Sequence, residues 1–250
     1  MTVRPAKRRA DQMLVERGLV ESRARAQALI MAGVVYSGER KIDKPGQPLG
    51  DDQPLEVRGR DHPWVSRGGL KLDHALAYFG WDITDSAVID VGASTGGFTD
   101  VALSRGAARV YAVDVGHGQL AWKLRQDPRV IVLEKLNARH LSTAEVPEPV
   151  DLVVCDASFI SLKTVLPASL ALTRPGARLA ALIKPQFEAG REAVGKGGVV
   201  RDPAVHAAVC AEVAAWLGAQ PGWHVLGVTP SPIEGPEGNR EFLIGAVRAG

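Results

Sequence analysis

Hydrophobic and polar positions fall into two rhythms along the chain. From residue 86 onward, short apolar runs recur at 88–91, 110–113, 130–133, 152–155 and 179–183, rich in valine and isoleucine and without polar alternation. Runs of that kind predict strands buried on both faces, as in a parallel sheet. The stretches 98–105, 119–126 and 160–172 lie between them and predict helices, the last interrupted by Pro167, with a further helix over 205–217. Strand and helix in alternation predict an α/β fold: a doubly wound, Rossmann-like open sheet. Segments 224–229 and 242–247 predict an antiparallel pair that closes one edge.

The first sixty residues follow a different pattern. A helix is expected over 9–17, stopped by Gly18, and a second over 23–31, capped by Ser22 and closed by Gly33. Short strands at 34–36 and 55–57 flank a loop over 41–48. The chain therefore reads as a small α+β domain at 1–59, a linker at 60–66 in which Pro63 blocks a continuous helix, and a large domain at 67–250.

Charge sharpens this division. The chain has 30 Lys and Arg against 28 Asp and Glu, a net +2, but residues 1–60 carry 12 basic and 8 acidic side chains (+4) and residues 61–250 carry 18 and 20 (−2). A basic head on a mildly acidic body points to a polyanionic partner for the head. Only Cys155 and Cys210 are present, without C-x-x-C spacing, and the six histidines are scattered, so neither a disulfide framework nor a metal site is expected. No run of about 18 apolar residues occurs, and the charged N-terminus has no signal-peptide character, which gives the expectation of a cytoplasmic protein with no membrane segment.

The sharpest motif is V-I-D-V-G-A-S-T-G-G-F-T-D at 88–100. A strand runs into Gly92, a turn follows through Ser94, Thr95, Gly96 and Gly97, and a helix begins near Phe98, so backbone N–H groups are expected at the C-terminal edge of the sheet. Asp114, 22 positions after Gly92, ends the next strand where a carboxylate can accept from both ribose hydroxyls of an adenosine; Asn137 can approach the adenine. The G-x-x-x-G-G spacing differs from the dinucleotide G-x-G-x-x-G, and Asp90 just before the turn would not serve a diphosphate. An acid there suits the cationic amino-acid moiety of S-adenosylmethionine, the expected cofactor. Lys71, Asp156, Lys184 and Glu241 stand near or at strand ends, where parallel-sheet geometry collects side chains in one crevice, and Asp156 counts among the cofactor residues too.

Two resemblances rest on these residues. The head, R-A-D-Q-M-L-V-E-R-G-L-V-E-S-R-A-R-A-Q-A-L-I-M-A-G-V-V-Y-S-G followed by Lys44-Pro45, resembles the S-four-like RNA-binding domain, which implies RNA binding with Arg9, Arg23 and Lys44 on phosphates. The motifs at 66–72, 88–100, 156–162, 184–188 and 238–242 resemble the FtsJ/RrmJ class of ribose methyltransferases, and with the head attached the whole chain resembles the TlyA family, known as haemolysin A and as ribosomal RNA 2′-O-methyltransferase. That resemblance implies S-adenosylmethionine-dependent methylation of cytidine ribose in ribosomal RNA of the small subunit, the large subunit or both. It implies a tetrad of Lys71, Asp156, Lys184 and Glu241 supported by Asn239, with Glu241 preferred to Glu237 because it keeps the G-N-x-E spacing.

A ribose hydroxyl is a poor nucleophile, so methyl transfer needs a base or a cation at its oxygen. Lys184 fits either role: a neutral amine beside Lys71 that takes the proton, or an ammonium that stabilises the developing alkoxide. The glycine-rich segment 188–201 reads as a flap that orders on RNA, and Phe98, Phe159 and Phe187 are candidates to stack on an extruded base, Phe187 foremost. A non-catalytic RNA-binding or assembly factor is the rival reading; a membrane-lytic protein is disfavoured by the lack of a spanning segment or lytic amphipathic helix.

Overall fold

The computed structural model describes residues 7–17, 19–20, 22–57, 62–195, 197–235 and 238–250. It divides into two compact units, Met1–Pro63 and Trp64–Gly250. Gly18, the expected helix stop, lies outside the described residues, as do residues 60 and 61 of the expected linker and Glu237.

The first unit runs β1 (Lys7–Arg9), α1 (Ala10–Glu16), α2 (Arg23–Met31), β2 (Val35–Ser37), β3 (Arg40–Lys41), β4 (Pro48–Gly50) and β5 (Glu56–Val57). The Ser22 hydroxyl accepts from the Arg25 amide and fixes the start of α2, and Gly33, at φ +71°, turns the chain out of it. Arg9 is not helical as expected: it is the extended residue ahead of α1, because β1 pairs antiparallel with β4 and sets Arg9 opposite Pro48. The predicted loop thus contributes two strands. Met13, Leu14, Ile30, Val35 and Ile42 are fully buried between helices and strands.

The second unit contains α3 (Gly68–Tyr78), β6 (Ala87–Val91), α4 (Gly97–Ser104), β7 (Arg109–Asp114), α5 (Trp122–Arg125), β8 (Val130–Glu134) and β9 (Val150–Cys155). There follow α6 (Leu162–Ala171), β10 (Thr173–Ile183), α7 (Pro185–Glu188), α8 (Pro203–Gly218), β11 (Trp223–Pro230) and β12 (Phe242–Arg248). All seven strands form one sheet in the order β11-β12-β10-β9-β6-β7-β8. Strands β6 to β10 are parallel, and β12 enters antiparallel between β10 and β11. Strand order therefore reverses between β6 and β9, which pair with Asp90 opposite Val154, and a crevice opens beyond their C-terminal ends. Both faces are covered: on β6, Ile89 and Val91 enter one apolar layer and Val88 the other, each worth about 1.5–3 kcal/mol of burial.

Three differences from the sequence reading matter for the site. Helix α3 was hidden by its Gly68-Gly69 start, yet it buries Lys71, Leu72, Ala75 and Leu76. The expected helix at 119–126 shrinks to Trp122–Arg125, because the Ala121 amide is drawn to the Thr95 carbonyl and Leu120 packs over Gly96. Trp64, Val65 and Ser66, expected as linker, belong to the second unit: the Val65 amide donates to Asp100 at 2.8 Å and Trp64 lies against the Gly69 backbone. Pro167 is accommodated inside an unbroken α6.

Candidate active site

The glycine loop leaves β6 at the reversal point. Gly92 has φ +81°, and a Cβ there would sit 2.8 Å from the Ala157 Cα, so only glycine lets the β6 and β9 exits approach this closely. Gly96, at φ +98°, caps α4 with space for a Cβ taken by Leu120 and Leu124. Ser94 is also left-handed, at φ +46°, its amide held 2.8 Å from the Asp114 carboxylate, while Thr95 anchors α5 through Ala121. Gly97 packs against the Gly68-Gly69 backbone, which seats the first turn of α3 beside that of α4. Phe98 is core, 3% exposed, and supports the loop from beneath.

Asp90 is fully buried. One oxygen accepts from the Thr99 hydroxyl at 2.6 Å and the other has no hydrogen-bond partner among the described residues. Burial pushes its carboxyl up to about 7, against the pull of the Thr99 hydrogen bond. Asp114 accepts from the Ser94 and Gly116 amides with its two oxygens, so it defines the rim of the loop. Asn137 caps the 3-10 turn Ala138–His140, its side chain accepting from the Arg139 amide. Glu134, at the end of β8 opposite Asp114, was missed by the sequence reading. It accepts from the Gly118 amide and Arg125 and contacts His117, and these partners hold its carboxyl at about 2 despite desolvation. The rule that singled out Asp114, an acid ending a strand, would have found it.

An orphaned buried carboxylate oxygen, a cradle that a Cβ would fill at Gly92 and Gly96, and two acids at neighbouring strand ends fit S-adenosylmethionine. Asp90, the loop 92–97 and Asp114 are the groups that would hold it.

Lys71, Asp156, Lys184 and Glu241 are brought together from α3, the end of β9, the end of β10 and the residue before β12. Lys71 Nζ donates to Glu241 at 2.6 Å and lies 3.6 Å from Asp156 Oδ2; Lys184 Nζ lies 2.6 Å from Asp156 Oδ1. The order is Glu241, Lys71, Asp156, Lys184, so each cation meets an anion. Lys184 also donates to the Asp156 carbonyl at 3.0 Å and to the Ser158 hydroxyl at 2.9 Å. Its contact with Asp156 Oδ1 is an ion pair without hydrogen-bond alignment. Ser158, in the D-A-S-F run, was not singled out from sequence. Asn239 accepts from the Val200 amide and donates to the Gly198 carbonyl, so it fixes the end of the 188–201 segment, where Val199 and Val200 are buried. The flap reading does not extend to that end.

Phe159 is 90% exposed, left-handed at φ +64°, and tilted against Phe187 with centroids 5.0 Å apart. Cys155 is buried and its thiol pushed up to about 12, out of reach of nucleophilic use. In the first unit, Arg9 and Arg23 converge on buried Asp11, and Arg9, Gln27 and Lys44 line a cavity of about 590 Å³ with residues 45–48.

A seven-stranded sheet of this order, with a glycine turn at its reversal point and an acid ending the next strand, defines an α/β enzyme that binds an adenosine-bearing cofactor. Residues 64–248 match the FtsJ-like methyltransferase family, so the chain belongs to that S-adenosylmethionine-dependent family, and residues 8–53 match the S4 domain. The chain is 52% identical to a Bacillus subtilis protein named "Putative rRNA methyltransferase YqxC", over 95% of this chain and 85% of that one. It is 48% identical to the Mycobacterium tuberculosis "16S/23S rRNA (cytidine-2'-O)-methyltransferase TlyA", over 94% and 88%. The solved "Putative hemolysin from Streptococcus thermophilus" superposes with a TM-score of 0.77 at 43% identity, over 98% of this chain and 90% of that one. Among the described residues, no helix is long and apolar enough to cross a membrane.

Proposed function

We propose that this protein methylates the 2′-hydroxyl of a cytidine ribose in ribosomal RNA. The observation that carries the reading is the alternating ion-pair chain of Glu241, Lys71, Asp156 and Lys184 beside the glycine loop. Bound S-adenosylmethionine supplies an electrophilic methyl group. Lys184, as an ammonium, donates a hydrogen bond to the ribose 2′-oxygen and stabilises the negative charge that develops there, while the hydroxyl proton passes to water. Asp156 fixes Lys184 from two sides, through its carboxylate and its own carbonyl, and Lys71, held by buried Glu241, keeps Asp156 from turning away. The name borne by the tuberculosis relative supports cytidine and ribosomal RNA as substrate.

A ribose inside a duplex is hard to reach, so the nucleotide is extruded. Phe159, with its strained backbone and exposed ring, and Phe187 behind it form a shelf of the kind a splayed base stacks on. Arg9, Arg23 and Lys44 contact RNA phosphates through the head, by their exposure and their resemblance-based positions. The division of the chain into two compact units supports a head, residues 1–59, that grips RNA and a catalytic body, residues 67–250.

The test is transfer of a labelled methyl group from S-adenosylmethionine to ribosomal subunits from cells lacking the gene, followed by mapping of 2′-O-methylation. Wild-type protein transfers label to a cytidine ribose and Lys184→Ala does not. Absence of transfer to any ribosomal particle overturns the proposal.

A further inference from the structure

Arginines in the second unit divide into two groups. Arg105, Arg109, Arg125, Arg129 and Arg174 each pair with a carboxylate, and Arg139, Arg178 and Arg248 donate to side-chain or backbone oxygens. Among the described side chains of this unit, Arg67, Arg201 and Arg240 alone have no such partner. Arg67 precedes the helix of Lys71, Arg240 precedes Glu241, and Arg201 follows Val200, whose amide is bonded to Asn239 two residues before Glu241. Two of them, Arg201 and Arg240, line one cavity of about 300 Å³ with Val199, Val200, Pro203 and His206.

The cavity wall is built rather than incidental. Asn239, 4% exposed, bonds the Val200 amide and the Gly198 carbonyl, and His206, 5% exposed, contacts the Val200 carbonyl at 2.9 Å through Nε2. These buried polar groups hold the backbone that leads into each arginine, while the adjoining carboxylates are otherwise engaged: Asp202 accepts from the Ala204 amide at the start of α8 and Glu241 pairs with Lys71. An interior brace that presents two exposed, unpaired guanidinium groups is suited to an anion, because each carries a planar fork of donors matched to phosphate oxygens.

We infer that Arg201 and Arg240 form a phosphodiester-binding site for the RNA substrate, next to Glu241, that fixes the register of the target ribose. The inference rests on the RNA substrate class proposed above. A phosphate held here ties the RNA backbone to the same short segment, Asn239 to Glu241, that supports Lys71, so docking of the strand and assembly of the tetrad share one piece of chain.

The full-length protein is measured with ribosomal RNA extracted from cells lacking the gene, by filter binding between about 50 and 200 mM salt and by methyl transfer. Each phosphate contact contributes about 0.7–0.9 to the slope of log affinity against log salt. The double variant Arg201→Gln/Arg240→Gln is expected to lower that slope by about 1–2 and to raise the RNA KM roughly tenfold, the loss of a charged hydrogen bond or two. Its affinity for S-adenosylmethionine and its melting temperature stay at wild-type values, and Arg201→Lys/Arg240→Lys recovers most of the slope. An unchanged slope and KM overturn the inference. So does weaker cofactor binding or a lower melting temperature in place of the slope change, which would make the arginines structural. Weakened binding to intact subunits with unchanged binding to naked RNA also overturns it, in favour of a ribosomal-protein carboxylate. If wild-type protein binds RNA with a slope that falls in the double variant yet transfers no methyl group, the methyltransfer reading fails and this site stands.

Discussion

Replacing Asp11 by asparagine sets two physical effects against each other in the head. Asp11 is fully covered and accepts from Arg9 at 2.9 and 3.0 Å, from Arg23 at 2.9 Å and from Gln27 at 2.9 Å. These partners, Arg9 foremost, hold its carboxyl well below the usual carboxylate range in spite of burial. The substitution removes one of 8 acidic side chains and takes the charge of residues 1–60 from +4 to +5, which by charge counting tightens RNA binding. It also replaces an acceptor oxygen by an amide donor facing two guanidinium groups, and frees both arginines to spread over their rotamers. Ordering one arginine costs up to about 2 kcal/mol; with both half exposed, a penalty of about 1–2 kcal/mol in total is reasonable, a fivefold to thirtyfold weakening. Charge counting at one added unit is worth less than that in screened solvent. The expected outcome is therefore weaker RNA binding by a more basic head, with unchanged cofactor affinity and a loss of about 1 kcal/mol in stability of the first unit. Filter binding at matched salt and thermal unfolding measure both. RNA binding that is tighter or unchanged refutes the idea that Asp11 presents the arginines.

Three other outcomes follow from the second unit. Asp90 has a carboxyl raised to about 7, so below that pH it is neutral in the free protein; binding a cationic group favours the ionised form, and S-adenosylmethionine affinity should rise up to tenfold per pH unit below about 7 and level off above it, a dependence that calorimetry finds flattened in Asp90→Asn. The same raised value means that the folded state holds a proton the unfolded chain has released, so this group's contribution to stability is lost as pH rises from about 4 through 7. Lys184→Ala should lower kcat by about 10²–10⁴ with cofactor binding retained, and a loss under tenfold in single-turnover transfer counts against its role. Gly92→Ala forces a Cβ to 2.8 Å from the Ala157 Cα at φ +81°, so cofactor binding should fall and melting temperature drop by several degrees; an unperturbed variant would show that the β6 and β9 exits can separate freely.

Periodicity and strand-end chemistry made much of this molecule readable from its residues. Uninterrupted valine and isoleucine runs can be satisfied only between two helical layers, so the parallel strands were legible and their ends located Asp90, Asp114, Asp156 and Lys184 together. What escaped was decided by contacts distant in sequence. The two glycines that open α3 weaken any local helix signal, but they are what lets Gly97 and Trp64 pack against its first turn and bring Lys71 to Glu241, 170 residues away. Strand β1 exists only because residues 48–50 offer it a partner; the antiparallel pair of β11 and β12 at the sheet edge was legible, but not that β12 is the one that pairs with β10. Arg23 was legible as a cation at a helix start, while its tether to Asp11 was not, since a buried acid in an amphipathic helix reads as a surface residue.

The buried oxygens without partners connect stability to function. Asp90 Oδ1 and Glu241 Oε1 are both enclosed and, like Asp156 Oδ1, have no hydrogen-bond partner among the described residues, and each such group costs about 1–3 kcal/mol. Glu241 Oε1 lies against Gly235, where even a Cβ would overlap it, so the free oxygen is held in place by close packing and not by a bond. The two differ in what can relieve them. A cationic cofactor group would satisfy Asp90 directly and should then raise the melting temperature on binding. Glu241 already pairs with Lys71 through its other oxygen, so its charge is compensated within the fold. Among the described residues, Asp90 Oδ1 is therefore the enclosed oxygen whose cost a cationic ligand would remove, and the melting-temperature rise on adding S-adenosylmethionine should be smaller in Asp90→Asn than in the wild type.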